Sequence, residues 1–328
     1  MALQHATRID FEYGRVDRLS PLVRRVICRN PGPFTFTGTG TYLVGEGAVA
    51  LIDPGPELAE HLDALVAALG PDEQLTHVLV THTHTDHSAA APAVAATAGV
   101  STHGHGPHGA VRDEEDVARI DFSAHFEPGE LDAMAAEYEA LDPALKREGA
   151  DTDFVPDVVA GDGEVIEGDG WTLEAVWTPG HCSNHLCWSL HEEQVLFTGD
   201  QVMAWSTTVV SPPDGSMADY LASLRKLLER DDARYWPTHG PAVEDPARYV
   251  ADLLAHRLDR EQQVLDGLGR GLRTIAELVP DLYAAYDKRL WYPAAASVHA
   301  HLLGLLDVGR VRVADDAAPA IDATYLPV

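Results

Sequence analysis

Val78-Leu79-Val80-Thr81-His82-Thr83-His84-Thr85-Asp86-His87 decides how the rest of this chain is read. Val78-Leu79-Val80 is a short continuous apolar run, the pattern of a strand buried on both faces. Four potential metal ligands then fall within six residues: His82, His84, Asp86 and His87. No regular helix or strand aims all four at one point. A tight loop can turn His82 and His84 one way and Asp86 and His87 another, which predicts two adjacent metal half-sites. Neutral imidazoles and a carboxylate suit Zn²⁺ first, with Mn²⁺ or Fe as alternatives. An Ala-rich helix is expected from Ser88 onward.

Working outward, the same grammar of strand followed by polar turn recurs. Tyr42-Leu43-Val44, Gly45-Glu46-Gly47 and Ala48-Val49-Ala50-Leu51-Ile52 read as a hairpin ending at Asp53. Pro54-Gly55-Pro56 stops it, and residues 58–69 carry helical apolar spacing. Trp171 to Trp177 alternates as a strand and leads to Thr178-Pro179-Gly180-His181. Val195-Leu196-Phe197 leads to Thr198-Gly199-Asp200, and Tyr235-Trp236 to Pro237-Thr238-His239-Gly240. Layered α/β folds build sites by gathering reactive side chains at the ends of buried strands. His181, Asp200 and His239 therefore complete the ligand supply for two metals.

Asp53, the 82–87 string, His181, Asp200 and His239, in that order, resemble the five motifs of the metallo-β-lactamase-fold hydrolases across about residues 20–245. The resemblance implies an α/β fold, an αβ/βα sandwich with metals at one edge of two sheets. It implies that His82, His84 and His181 hold one divalent ion, that Asp86, His87 and His239 hold a second, and that Asp200 bridges them. Asp53 would orient ligands from behind. Trp205-Ser206-Thr207-Thr208-Val209 and the run of residues 256–263 are similar to the lactamase-like group that carries a C-terminal winged helix, which includes a single-strand endoribonuclease. The acidic stretch at 113–157 departs from the compact endoribonuclease pattern.

The expected reaction is hydrolysis. A water between two Zn²⁺ ions loses a proton near neutral pH and attacks an electrophilic carbonyl or phosphorus. Asp86 would carry the proton to the leaving group. His185, four residues after His181, is a candidate catalytic hydrogen-bond donor, with loop support from behind as the favoured role. Cys182 reads as a small buried filler. His103, His105 and His108 have no neighbouring acid or cysteine and read as a plain turn, with His108 the one to face the cleft. Trp205 is a candidate apolar substrate wall.

Composition narrows the substrate. The 328 residues carry 23 Lys+Arg against 52 Asp+Glu, a formal charge of −29, and nucleic-acid binders instead hold phosphates with clustered bases. Residues 113–157 contain fifteen acids and three bases. They read as a solvated insertion with an amphipathic helix through Leu131, Met134, Ala135, Tyr138, Leu141 and Leu145; a lid over the site is the alternative. From Pro246 the pattern is helical. A capping box at Thr274-Ile275-Ala276-Glu277, a helix with Pro293 in its first turn and a strand at Arg310-Val311-Arg312-Val313 outline a winged helix. Residues 274–313 hold four bases and four acids, which favours packing over nucleic-acid binding.

No stretch approaches the ~20 apolar residues of a membrane span. The polar start lacks a secretory pattern, and three scattered cysteines form no framework. A reduced cytoplasmic protein is expected, with a catalytic domain at 1–245 and a small helical winged-helix-like domain at 246–328. Its substrate is expected to be a small ester, thioester or lactone. Cleavage of single-stranded RNA is the first rival. β-Lactam hydrolysis is weaker, because the resemblance implies that dedicated β-lactamases generally lack the bridging acid. The oligomeric state is left open.

Overall fold

The computed structural model describes residues 3–111, 120–140 and 149–328. A seven-stranded sheet runs in chain order: β1 (Val16–Arg18), β2 (Val23–Ile27), β3 (Gly40–Val44), β4 (Ala48–Ile52), β5 (Gln74–Leu79), β6 (Thr102–Gly104) and β7 (Val158–Val159). The expected hairpin is β3–β4, antiparallel with Leu43 opposite Leu51. Its turn needs Gly45: φ is +100°, and a Cβ there would lie 2.3 Å from the Trp171 ring. Strands β4, β5, β6 and β7 pair parallel, so their C-terminal ends share one edge.

The second sheet has the order β12-β11-β10-β9-β8, with β8 (Val165–Gly168), β9 (Trp171–Trp177), β10 (Leu186–Leu190), β11 (Val195–Gly199) and β12 (Arg234–Pro237). Only β11 and β12 run parallel in it. Between the sheets lies one apolar core, Tyr42, Ile52 and Leu79 from the first against Leu173, Trp188 and Phe197 from the second. Each such side chain contributes about 1.5–3 kcal/mol of burial. Helices α1 (Ala59–Ala67) and α3 (Ala91–Ala98) cover the outer face of the first sheet through Leu65 and Ala95. Helices α5 (Met217–Leu228) and α6 (Pro246–Gly269) cover the second through Leu224, Val250 and Leu253. The αβ/βα sandwich is therefore as expected.

The Ala-rich helix begins later than its composition suggests. Thr85–Ser88 is a single separate turn, α2, and α3 starts only at Ala91 with Pro92 in its first turn. His82 and His84 thus precede the turn α2, while Asp86 and His87 lie within it.

Beyond the sandwich, the far half of α6, α7 (Ile275–Leu282), α8 (Trp291–Asp307) and the ribbon β13 (Val311–Val313) with β14 (Tyr325–Pro327) enclose their own core of Leu268, Leu278, Val298, Leu302 and Tyr325. The Thr274–Glu277 capping box is formed. The spacing at 131–135 becomes α4 (Glu130–Glu139), while Leu141 and Leu145 lie outside the described residues. Part of the acidic stretch is packed rather than solvated. Ile120 and Phe122 are buried in the C-terminal core, with Phe122 against Trp291 at 5.6 Å between centroids, and Lys288 donates to His125 O at 2.5 Å. Burying those two apolar side chains outweighs keeping this segment in water. The lid expectation rests also on residues 112–119 and 141–148, outside the described residues. No helix among the described residues is long and apolar enough to cross a membrane.

Candidate metal centre

Every predicted ligand follows a strand end. β5 delivers the 82–87 string, β9 His181, β11 Asp200 and β12 His239. The two sheets are pinned together here: Gly40 N donates to Thr238 O at 2.8 Å and Leu186 N to Thr81 O at 2.7 Å. The end of the acidic stretch clamps the string, with Asp151 N donating to Thr83 O and Thr85 N to Gly149 O.

Two groups converge. In the first, Nδ1 of His84 lies 2.9 Å from His82 Nε2 and 3.1 Å from His181 Nε2. In the second, His239 Nε2 lies 3.1 Å and His87 Nε2 3.5 Å from Asp86 Oδ2. Asp200 stands between them. Its Oδ1 is 3.6 Å from His87 Nε2 and 3.5 Å from His239 Nε2, and its Oδ2 is 3.8 Å from His181 Nε2.

The donor set fits divalent cations on a separate test. Among the described residues, His87 Nε2, His239 Nε2 and Asp200 Oδ1 are all buried without a well-formed hydrogen bond. Native proteins rarely leave three convergent polar atoms unsatisfied, and a shared cation would serve all three.

Electrostatics divides the two groups. Burial, followed by neighbouring imidazoles, lowers the pKa of His82 well below the ordinary value, and burial with His181 holds His84 near about 3. Burial also lowers His181. These three are neutral donors. Burial lowers His87 and His239 too, but the Asp86 and Asp200 carboxylates outweigh it and raise both, with Asp53 adding to the effect at His87. Burial opposes ionisation of Asp86, yet His87 and His239 hold it down at about 2, and Asp200 is held lower still by His239 and His87. The second group thus gathers two carboxylates held ionised, which favour positive charge on or between its imidazoles.

Supports lie directly behind. Asp53, at φ +51°, accepts from Thr81 N, Thr81 Oγ1 and Thr238 Oγ1, and its Oδ2 lies 2.9 Å from His87 Nδ1. His181 Nδ1 is 2.6 Å from Val209 O, and His239 Nδ1 is 3.3 Å from Gly38 O. Each support fixes the nitrogen that faces inward. His185 is fully buried, with Nδ1 3.0 Å from Thr178 Oγ1 and Nε2 accepting from Asp200 N at 3.2 Å. It steadies Asp200 from the protein side.

Two details differ from the local reading. Cys182 does more than fill space: its sulfur is 3.4 Å from His84 Nε2, the nitrogen opposite the inward-facing one. His108 gains the acid and cysteine its sequence neighbourhood lacks, since Cys182 and Asp214 meet it with ligand atoms within 4.8 Å. Its Nδ1 is 3.0 Å from Thr83 Oγ1. His103 and His105 go elsewhere, His103 into β6 and His105 onto Trp177. Trp205 stacks on Phe36 at 5.0 Å and abuts Gly240, the residue after His239, where a Cβ would be 2.7 Å from its ring. This pair forms a flat apolar wall beside the second group. Phe36 carried no sequence signal, because its partner is remote in the chain.

The family model described as "Metallo-beta-lactamase superfamily" matches residues 35–239, and "Beta-lactamase associated winged helix domain" matches 274–319. The chain is 30% identical over 277 residues to a protein of Aspergillus novofumigatus named an atrochrysone carboxyl ACP thioesterase, covering 80% of this chain and 71% of that one. It is 30% identical over 254 residues to the beta-lactamase-like protein 2 homolog of Caenorhabditis elegans, covering 76% and 72%. A beta-lactamase domain protein from Burkholderia ambifaria shares the fold with a TM-score of 0.73 at 20% identity, over 99% of this chain and 97% of that one.

Proposed function

We propose that this chain, which belongs to the metallo-beta-lactamase superfamily, is a thioesterase that uses two divalent ions, zinc foremost, to hydrolyse a small acyl thioester. The observation that carries the proposal is Asp200, whose two oxygens face two separate histidine groups. His82, His84 and His181 would hold one ion, Asp86, His87 and His239 the other, and Asp200 both. Bound there, the ions would supply Lewis acidity toward a carbonyl oxygen and lower the pKa of water.

The protein's own groups do the rest. The Phe36–Trp205 wall offers an apolar surface to an acyl group beside His239. Asp86, at 7% exposure on the inner rim of the site, is the carboxylate that accepts a proton from the attacking water and returns it as the thiol leaves. A thiolate is a good leaving group with a pKa of about 8.5, so one carboxylate relay suffices. The named thioesterase relatives support this choice among ester, thioester and lactone. The −29 charge opposes a polyanionic substrate. Three free, buried cysteines support a reducing, cytoplasmic setting.

The test is a panel of acyl thioesters, a fluorogenic single-stranded RNA and a chromogenic β-lactam, each offered to protein loaded with two equivalents of Zn²⁺. Thioester turnover that disappears in Asp200→Ala is the expected result. Loaded protein that leaves every thioester intact overturns the proposal, and RNA cleavage in that case transfers the site to the endoribonuclease reading.

A further inference from the structure

One motif of the sequence, His256-Arg257-Leu258-Asp259-Arg260, plays no part in the site described so far. Arg257 lies midway along α6 and is 4% exposed. Its guanidinium sits 5.1 Å above the Tyr220 ring, and among the described residues it has no carboxylate partner. Burying a cation without an acid carries a desolvation penalty of several kcal/mol. The contact it does make is specific: Nη2 donates to Thr208 O.

Thr208 belongs to the strap 200–209 that leaves β11 at Asp200 and passes the metal centre. Thr208 Oγ1 donates back to Asp200 O at 2.6 Å and to Gln201 O at 3.2 Å, closing the strap on itself. The next residue supplies Val209 O, 2.6 Å from His181 Nδ1. Tyr220, beneath the guanidinium, donates its hydroxyl to Gln201 O at 2.9 Å. Two consecutive residues, Thr208 and Val209, therefore join Arg257 to Asp200 and to His181.

We infer that Arg257 is a positioning residue of the metal centre: by holding Thr208 it fixes the strap that orients the Asp200 carboxylate and the His181 ring. Helix α6, shared by the sandwich and the C-terminal core, is then part of the metal-site scaffold. A neutral residue at position 257 frees the Thr208 carbonyl, lets the strap rotate and spreads the two ligands over several orientations. Ligand-orienting partners of this kind are worth about 10- to 100-fold in metal affinity. The inference rests on the two-metal reading above and is tested without any substrate.

The experiment is chelator competition for Zn²⁺, together with the visible spectrum of the Co²⁺-substituted protein, on the full chain and on Arg257→Met, Arg257→Lys, Thr208→Val and Leu302→Ala. Leu302 is fully buried in the C-terminal core, a cluster that among the described residues includes none of the strap. The expected result is a loss of about tenfold or more in affinity for at least one equivalent in Arg257→Met and Thr208→Val. A changed Co²⁺ spectrum should accompany it, with partial recovery in Arg257→Lys, which keeps a donor and the charge. Leu302→Ala should lower the melting temperature and leave both affinities within twofold. Folded Arg257→Met with both affinities within twofold of the parent overturns the inference, as does an equal metal loss in Leu302→Ala. If Arg257→Met does not fold, Arg257→Gln, neutral but still polar, decides on the same criterion. A parent chain that binds neither ion overturns the two-metal reading itself, a distinct outcome.

Discussion

Oδ2 of Asp53 lies 2.9 Å from Nδ1 of His87, and both side chains are fully buried. The same oxygen accepts the hydroxyls of Thr81 and Thr238 at 2.8 and 2.7 Å. One carboxylate thus ties the ends of β4, β5 and β12 to a metal-facing imidazole, and it leaves Nε2 of His87 as the inward nitrogen.

Asp53→Asn should turn an acceptor into a donor against three donors already in place. Breaking a buried charged partnership costs about 3–5 kcal/mol, and losing the support behind a ligand weakens metal binding about 10- to 100-fold. Urea unfolding and chelator competition on one preparation measure both. Unchanged metal affinity in the folded variant would remove the orienting role.

Asp200 is the carboxylate shared by the two groups. Asp200→Ser leaves three nitrogens in the first group intact and should lower bound metal from two equivalents to one by elemental analysis. Thioester turnover should fall by about 100-fold or more, the scale seen when one electrostatic partner of a transition state is deleted. Retention of two tight equivalents would show that Asp200 does not bridge.

Cys182 faces the outer nitrogen of His84. An imidazole that binds metal through one nitrogen carries its proton on the other and needs an acceptor there. Cys182→Ser keeps an acceptor and should hold first-equivalent affinity within about threefold, whereas Cys182→Val removes it and should cost about tenfold. Equal affinities in the two variants would return Cys182 to the role of filler.

His301, not itself among the metal ligands, sets a pH dependence of its own. It is fully buried, and burial together with Arg257, Arg260 and His256 lowers its pKa to about 3. An unfolded histidine titrates near about 6.5. Its folded value is depressed, so its contribution to stability is complete above about pH 6.5 and is lost as pH falls toward 3, by up to about 1.4 kcal/mol per unit. His61 and His256, each lowered to about 4 mainly by burial, act in the same direction. Urea midpoints of metal-free protein at pH 7, 6 and 5 should fall less steeply for His301→Leu than for the parent. Parallel slopes would sink the assignment.

Much of this molecule was legible along the chain. The ligands sit at strand ends, and Gly or Pro marks the turns that carry His181, Asp200 and His239. The capping box at Thr274 and the hairpin around Gly45 are equally local, so both appear in the structure as read. What was not legible depends on partners far apart. Cys182 looks inert beside a completed ligand set until folding sets it against His84, 98 residues away. His108 lacks an acid until Asp214 arrives. The acidic stretch looks solvated because charge dominates its composition, while Ile120 and Phe122 find their burial only against α8.

By itself the sequence determined which side chains could ligate and which strands would carry them, because those properties belong to residue type and short-range spacing. Only the tertiary structure decided which nitrogen of each histidine faces inward, what stands behind it and that a C-terminal arginine reaches the strap beside Asp200. Those choices follow from hydrogen bonds between segments tens to hundreds of residues apart, and no local window of the chain contains both partners.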